Sequence, residues 1–247
     1  MASASTAVLK TEARLLTREP GVLFWIVAFP TLLMVILGLI PGFQDPDAAL
    51  GGRRVIDLYV PIAALLAVIM AGLQAMPPIL IGYRERGILR RMSTTPVRPA
   101  TLLTSQLVLL GAGALASAAL VIVVGRIAFG VALPEQPAGY LLALVLATAG
   151  ALAMGGVVCA LAPTQRAGQA IGSALFFPSM FTAGVWLPVQ TMPDLMRDIV
   201  SCTPMGAASE ALDTAMRGGW PHWADLGVLA LWAVVLTAGA ARWFRWQ

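Results

Sequence analysis

The side chains that ordinarily carry out chemistry are scarce in this chain and poorly placed for it. His222 is the single histidine, next to Pro221 and Trp223. One imidazole cannot build a histidine-based metal site, and no cysteine or carboxylate cluster supplies further ligands. Cys159 lies in an apolar run and Cys202 in a loop; with no Cys-x-x-Cys pair, a disulfide framework is not expected. No serine, histidine and aspartate set has the parts for nucleophilic catalysis. Lys10 is the only lysine, so a phosphate loop built on Gly-Lys-Ser or Gly-Lys-Thr cannot be present. The chain is therefore expected to be non-catalytic, with no metal or cofactor of its own.

The remaining chemistry is that of recognition, and it is concentrated in Ile81–Pro99. Five arginines (Arg84, Arg86, Arg90, Arg91 and Arg98) and Glu85 sit there between two apolar segments. The stretch opens with Arg84-Glu85-Arg86-Gly87. It continues as a short helical piece in which Ile88, Leu89 and Met92 form an apolar face, and Thr94-Thr95-Pro96 stops it. A short helix with an apolar face and basic flanks suits a groove on another protein. The same arginines would also attract anionic lipid, at roughly 1 kcal/mol each.

The elements that position this stretch follow from hydropathy. Of 247 residues, 59% are hydrophobic and 11% charged, against about 25% charged in a soluble domain. The pattern reads as one all-α membrane domain over residues 1–247. The net charge of +4 is not a sign of nucleic-acid binding, because in such a chain the distribution of charge carries the information. Met1–Pro20 lacks the order of a signal peptide and is expected to be retained.

Residues 5–19 read as an interfacial helix, with Lys10, Arg14 and Arg18 on one stripe and Val8, Leu9, Leu15 and Leu16 opposite. Glu12 and Glu19 point to the apolar side. They either reach water at the helix ends or meet a basic partner within the protein.

Six apolar spans follow: Leu23–Ile40, Leu58–Ile81, Gln106–Gly125 (reaching towards Leu133), Tyr140–Leu161, Gly168–Leu187 and Leu226–Ala241. The Pro77-Pro78 pair should bend or break the end of the second. With the N-terminus inside, the inner segments hold 11 of the 16 lysines and arginines and three acids. The outer segments hold five arginines and nine acids. The excess of inner arginine selects an N-in, C-in topology and makes 82–104 a cytoplasmic loop. The outer segment 188–222 reads as two short helices, Pro193–Cys202 and Met205–Met216, forming a re-entrant or interfacial hairpin.

The spans themselves are almost free of charge, which argues against ion coupling within the membrane. Thr31, Gln74, Ser173 and Thr182 are candidates for a cargo path, although such side chains also hydrogen-bond between helices. Gly168-x-x-x-Gly172 and Ala151-x-x-x-Gly155 would allow close helix approach.

Several of these motifs together resemble the type-2 ABC transporter permeases, the membrane subunits of bacterial ATP-driven exporters. The resemblance rests on Glu85-Arg86-Gly87, the short helix, and Thr94-Thr95-Pro96-Val97 leading into the next span. The Arg18-Glu19-Pro20 end of the first helix and the Leu187-Pro188, Met192-Pro193 and Pro204 segments add to it. Ile88 departs from it, since many members carry a small polar residue there.

The resemblance implies that 82–104 holds a coupling helix seated in a separate ABC ATPase subunit, which binds the ATP and magnesium. It implies contacts from Arg84, Glu85, Arg86, Gly87, Ile88, Leu89, Arg90, Arg91, Met92, Thr95 and Pro96. It also implies a second permease chain, identical or related, and a multi-pass location in the bacterial inner membrane. Within that frame Glu12 or Glu19 is expected to pair with Arg84, Arg86, Arg90 or Arg91. The uncharged spans point to a lipophilic or amphipathic cargo of the drug, lipid or glycan class. A substrate-binding module of a vitamin uptake system is the alternative; it would need neither the basic loop nor the outer hairpin. An intramembrane enzyme lacks paired catalytic residues.

Overall fold

The computed structural model describes residues 2–88 and 99–243. The predicted loop positions Leu89, Arg90, Arg91, Met92, Thr95 and Pro96 lie outside the described residues.

Helix α1 (Ala2–Leu16) is followed by α2 (Pro20–Gly38), α3 (Val55–Glu85), α4 (Pro99–Phe129), α5 (Pro137–Leu161) and α6 (Gln165–Thr182). Two shorter helices, α7 (Asp194–Ser201) and α8 (Pro204–Met216), lead to α9 (Trp223–Trp243). Among the described residues, α2, α3, α4, α5 and α9 are long and apolar enough to cross a membrane. Helix α6, where a fifth crossing is expected, begins with the polar Gln165 and Arg166 and is not one of these five. It ends at Thr182, short of Leu187. The architecture is that of an all-α membrane protein.

Helix α3 is the axis of the bundle: 89% of its most apolar stretch is buried, against 22% for α2 and 11% for α9. It lies against α2, α4, α5, α6 and α8. Such helix-on-helix burial needs small residues at the crossings. A Cβ on Gly72 would overlap the Ala151 carbonyl, and a Cβ on Gly155 would overlap the Gly72 carbonyl. The small-residue repeat Ala151–Gly155 is thus where α5 meets α3 backbone to backbone.

The prolines do not break their helices. Helix α3 continues past Pro77-Pro78 to Glu85, after a wide π-type turn over Met70–Ala75. A second wide turn, Phe24–Ala28, precedes Pro30 in α2. Pro30 has no N–H to offer the Ile26 carbonyl one turn back. The Ser117 hydroxyl of α4 donates to that carbonyl instead, at 2.7 Å. A neighbouring helix satisfies the freed group, which is how proline is tolerated in apolar surroundings.

The ends of the bundle differ. At the end opposite Arg86 (the far end), two short strands, β1 (Pro46–Asp47) and β2 (Arg53–Arg54), pair antiparallel. This hairpin was not expected from the sequence. Asp57 accepts from the Arg54 N–H at 3.0 Å and pairs with the Arg54 guanidinium at 2.6 Å, closing the N-terminus of α3. That contact holds the Arg54 pKa above its ordinary value.

The segment 188–222 forms two helices, as expected, but they differ in burial. Leu195 and Ile199 of α7 are exposed, at 74% and 63%. Ten of the 13 residues of α8 are buried, including Glu210 and Asp213, which the sequence places on a polar face. The reason is a set of arginines. Arg197 forks onto Glu210 through Nε (2.7 Å) and Nη2 (2.9 Å). Arg53 Nη1 donates to Asp213 Oδ1 at 2.7 Å. Arg217 Nη2 lies 2.9 Å from Asp213 Oδ2 but out of line for a hydrogen bond. Burying a carboxylate is costly unless it is paired in this way.

Candidate functional site

The residues of the basic stretch that the structure describes form the last turn of α3 and the turn after it. Gly87 closes the helix with φ +67°. Its N–H reaches the Arg84 carbonyl at 3.0 Å, and the Arg86 N–H reaches the Gly82 carbonyl at 3.1 Å. A left-handed closing residue is the usual glycine stop, and a side chain there would be strained.

Three consecutive residues before that stop face three different neighbours. Successive residues on an α-helix are turned by about 100°, so adjacent side chains diverge. The Tyr83 hydroxyl donates to Glu12 Oε2 of α1 at 2.7 Å. The Arg84 guanidinium donates to the Cys159 carbonyl at 3.1 Å and to the Ala162 carbonyl, at the C-terminus of α5. Glu85 Oε1 accepts from the Gln165 N–H at 2.8 Å, at the N-terminus of α6. These charges match the partial charges of the helix ends they meet: cation on carbonyls, anion on an amide. Thr164 completes the start of α6 by accepting from the Ala167 N–H at 3.2 Å.

Glu12 is the centre of a second group. It is buried at 7% exposure, and its Oε2 accepts from Gln106 of α4 as well as from Tyr83. Tyr83 lies in the last turn of α3, at the start of the 82–104 stretch, and Gln106 lies in α4, just after it. One carboxylate of α1 therefore ties both roots of the loop together.

The expected ion pair is not formed among the described residues. The ion pairs between described residues are Arg53–Asp213, Arg54–Asp57, Arg197–Glu210 and Arg217–Asp213, and none joins Glu12 or Glu19 to Arg84 or Arg86; Arg90 and Arg91 lie outside the described residues. Arg84 is engaged by the α5 carbonyls, and Glu12 takes neutral donors. Glu19 is exposed. Arg86 stacks its guanidinium 5.8 Å from the Tyr83 ring centroid and donates from Nε to the Gly82 carbonyl at 3.1 Å. Ile88 is half-buried. An open cleft runs beside this region, lined by Glu85, Thr164, Gln165, Arg166 and Gln169.

The four candidate cargo-path residues are all half-buried. The Thr31 and Thr182 hydroxyls donate to carbonyls of their own helices, Val27 and Ser179, at 3.0 and 3.2 Å. The Leu73 carbonyl lies against Gly172 where α3 meets α6, next in sequence to Gln74 and Ser173. The hydroxyls of the other two are occupied within their own helices.

Tyr83, Gln106 and Gln165 are site residues that sequence reasoning did not single out as partners. The signal for the first two was available: a carboxylate on the apolar side of α1 requires donors, and these two flank the loop nearest to it.

A comparison with protein-family profiles matches residues 4–216 to the family described as ABC-2 type transporter. No curated protein matches the chain. The match runs from α1 through α8, so it includes the basic loop, both of its roots and the α5–α6 turn. On that match, the chain belongs to the ABC-2 type transporter family, the membrane permease component of ABC transporters.

Proposed function

We propose that this chain is the permease subunit of an ATP-driven exporter that moves a lipophilic or amphipathic cargo outward. The observation that carries the reading is the fastening of the loop roots. Family membership implies an ABC ATPase partner, and the loop 82–104 is anchored at its base to α1, α4, α5 and α6. A loop so anchored can receive a push and pass it to the helices that would enclose cargo.

In this reading α6 completes a sixth crossing beside the five apolar ones, and both termini are cytoplasmic. Helix α1 lies in the inner interface with Lys10, Arg14 and Arg18 towards lipid head groups. Two permease chains face one another, and each docks Ile88, Leu89 and Met92 into an ATPase subunit that binds ATP and magnesium. Arg90, Arg91, Thr95 and Pro96 shape that docking helix. Gln74 and Ser173 line the cargo path at the α3–α6 crossing. The location is the bacterial inner membrane. The vitamin-uptake alternative gains no observation in its favour.

The test is co-expression with the cognate ATPase and transport into inverted vesicles. Leu89→Asp and Met92→Asp should each abolish ATPase co-purification and ATP-dependent cargo uptake. Unchanged co-purification with both variants would overturn the docking assignment.

A further inference from the structure

The residues Arg84 and Glu85 belong to the predicted docking stretch, yet their bonded atoms are turned onto their own chain. A helix leaves its last four carbonyls and first four N–H groups without partners. Between α5 and α6 only Ala162, Pro163 and Thr164 intervene, so the two termini lie side by side and their orphan groups are close together. Helix α3 supplies the missing partners for both. Arg84 covers the Cys159 and Ala162 carbonyls, and Glu85 covers the Gln165 N–H. The signs of the two adjacent side chains fit the two termini, and exchanging them would place like against like.

We propose that Arg84 and Glu85 are positioning residues that act inside the permease, joining the root of the docking loop to both sides of the α5–α6 turn. A displacement of the loop is then passed to α5 and α6 directly from the end of α3. The inference rests on the docking reading and adds to it the path that the input takes. It also separates two kinds of residue within one short stretch. Positions 88–92 would meet the ATPase, whereas positions 84–85 would hold the loop to the bundle.

Cys159 is a native reporter for this path. Its carbonyl accepts from Arg84, its thiol is buried, and the other cysteine, Cys202, is exposed at the far end. In a Cys202→Ser background, the tagged permease is studied in inverted vesicles from cells that also express its ATPase. N-ethylmaleimide modification of Cys159 is followed by mass spectrometry, with and without ATP, magnesium and orthovanadate. ATPase retention is measured on the same samples.

The trapped state should alter the Cys159 modification rate by about fivefold, the shift that one charge-to-terminus contact supports. Arg84→Met and Glu85→Ala should keep the ATPase bound and lose that response, while Arg84→Lys recovers part of it. Two outcomes overturn the proposal while leaving docking intact: loss of the ATPase from these variants, which would make both residues docking contacts, or a full response in both. Parent protein that retains no ATPase would remove the docking reading and this inference together.

Discussion

Tyr83 and Glu12 are 71 positions apart in sequence and 2.7 Å apart in the fold, hydroxyl to carboxylate. The bond fastens α1 to the axis of the bundle through a charged group. Gln106 adds a second donor to the same oxygen. Tyr83→Phe leaves that buried carboxylate with one neutral donor, and the expected cost is about 1–3 kcal/mol. Glu12→Gln removes the charge and should cost less in the Tyr83→Phe background than alone. Thermal unfolding of the four members of this double-mutant cycle in detergent checks the coupling.

The contact of Gly72 with Gly155 and Ala151 leaves no space for a methyl group on either glycine. Gly72→Ala and Gly155→Ala force two backbones apart, and overpacking of this kind costs about 1–3 kcal/mol or more. Gly113→Ala is the control, because a Cβ there meets nothing within 4 Å. The first two variants should lower the yield of monodisperse protein and its melting temperature; the control should behave as the parent.

At the far end Asp213 is shared by two arginines and its side chain is only 3% exposed. Arg53→Ala leaves that buried carboxylate without its hydrogen bond, with an expected loss of about 3 kcal/mol. Asp213→Ala should cost less, because the two arginines it leaves behind are partly exposed and water can reach them. Comparison of the two melting temperatures tests the ranking, and a larger effect for Asp213→Ala would contradict it.

The Arg197–Glu210 fork predicts a pH response by its sign. Its hydrogen bond to Glu210 holds the Arg197 pKa above the ordinary value. A cation whose pKa is raised on folding contributes fully below its unfolded pKa, which for arginine lies above the pH range of the measurement, and loses that contribution only as the pH rises through its folded pKa. The parent protein should therefore show no loss of stability from this group between pH 7 and pH 10. Arg197→Lys gives up the planar fork and brings titration down towards about 10.4. Its melting temperature should fall away from that of the parent as the pH passes 10.

The helices were largely legible because apolar length and helical periodicity act over whole segments. The N-terminal helix, five of the six apolar spans and the two helices after α6 follow from those signals. What could not be read depended on groups far apart in sequence. The burial of Glu210 and Asp213 needs Arg53 and Arg197, from other elements, and helical periodicity alone marks the two acids as a polar face. Pro77-Pro78 reads as a break because local rules contain no neighbour able to tolerate the missing donors. Glu12 was legible as a residue in need of a partner. Among the described residues its partners are the neutral Tyr83 and Gln106, while Arg84 serves the carbonyls of α5; Arg90 and Arg91 lie outside the described residues.

The wide turn at Met70–Ala75 has a consequence for how α3 is indexed. Relative to regular α-helix, such a turn accommodates an extra residue, and one residue is worth about 100° of rotation. The far half of α3 is fixed by Asp57 and its packed surroundings, so the turn sets the compass bearing of everything that follows. With it in place, Tyr83, Arg84 and Glu85 each face their own neighbour. Delete one residue there and all three would swing round by that same angle, each addressed to the wrong helix, without any of them being changed.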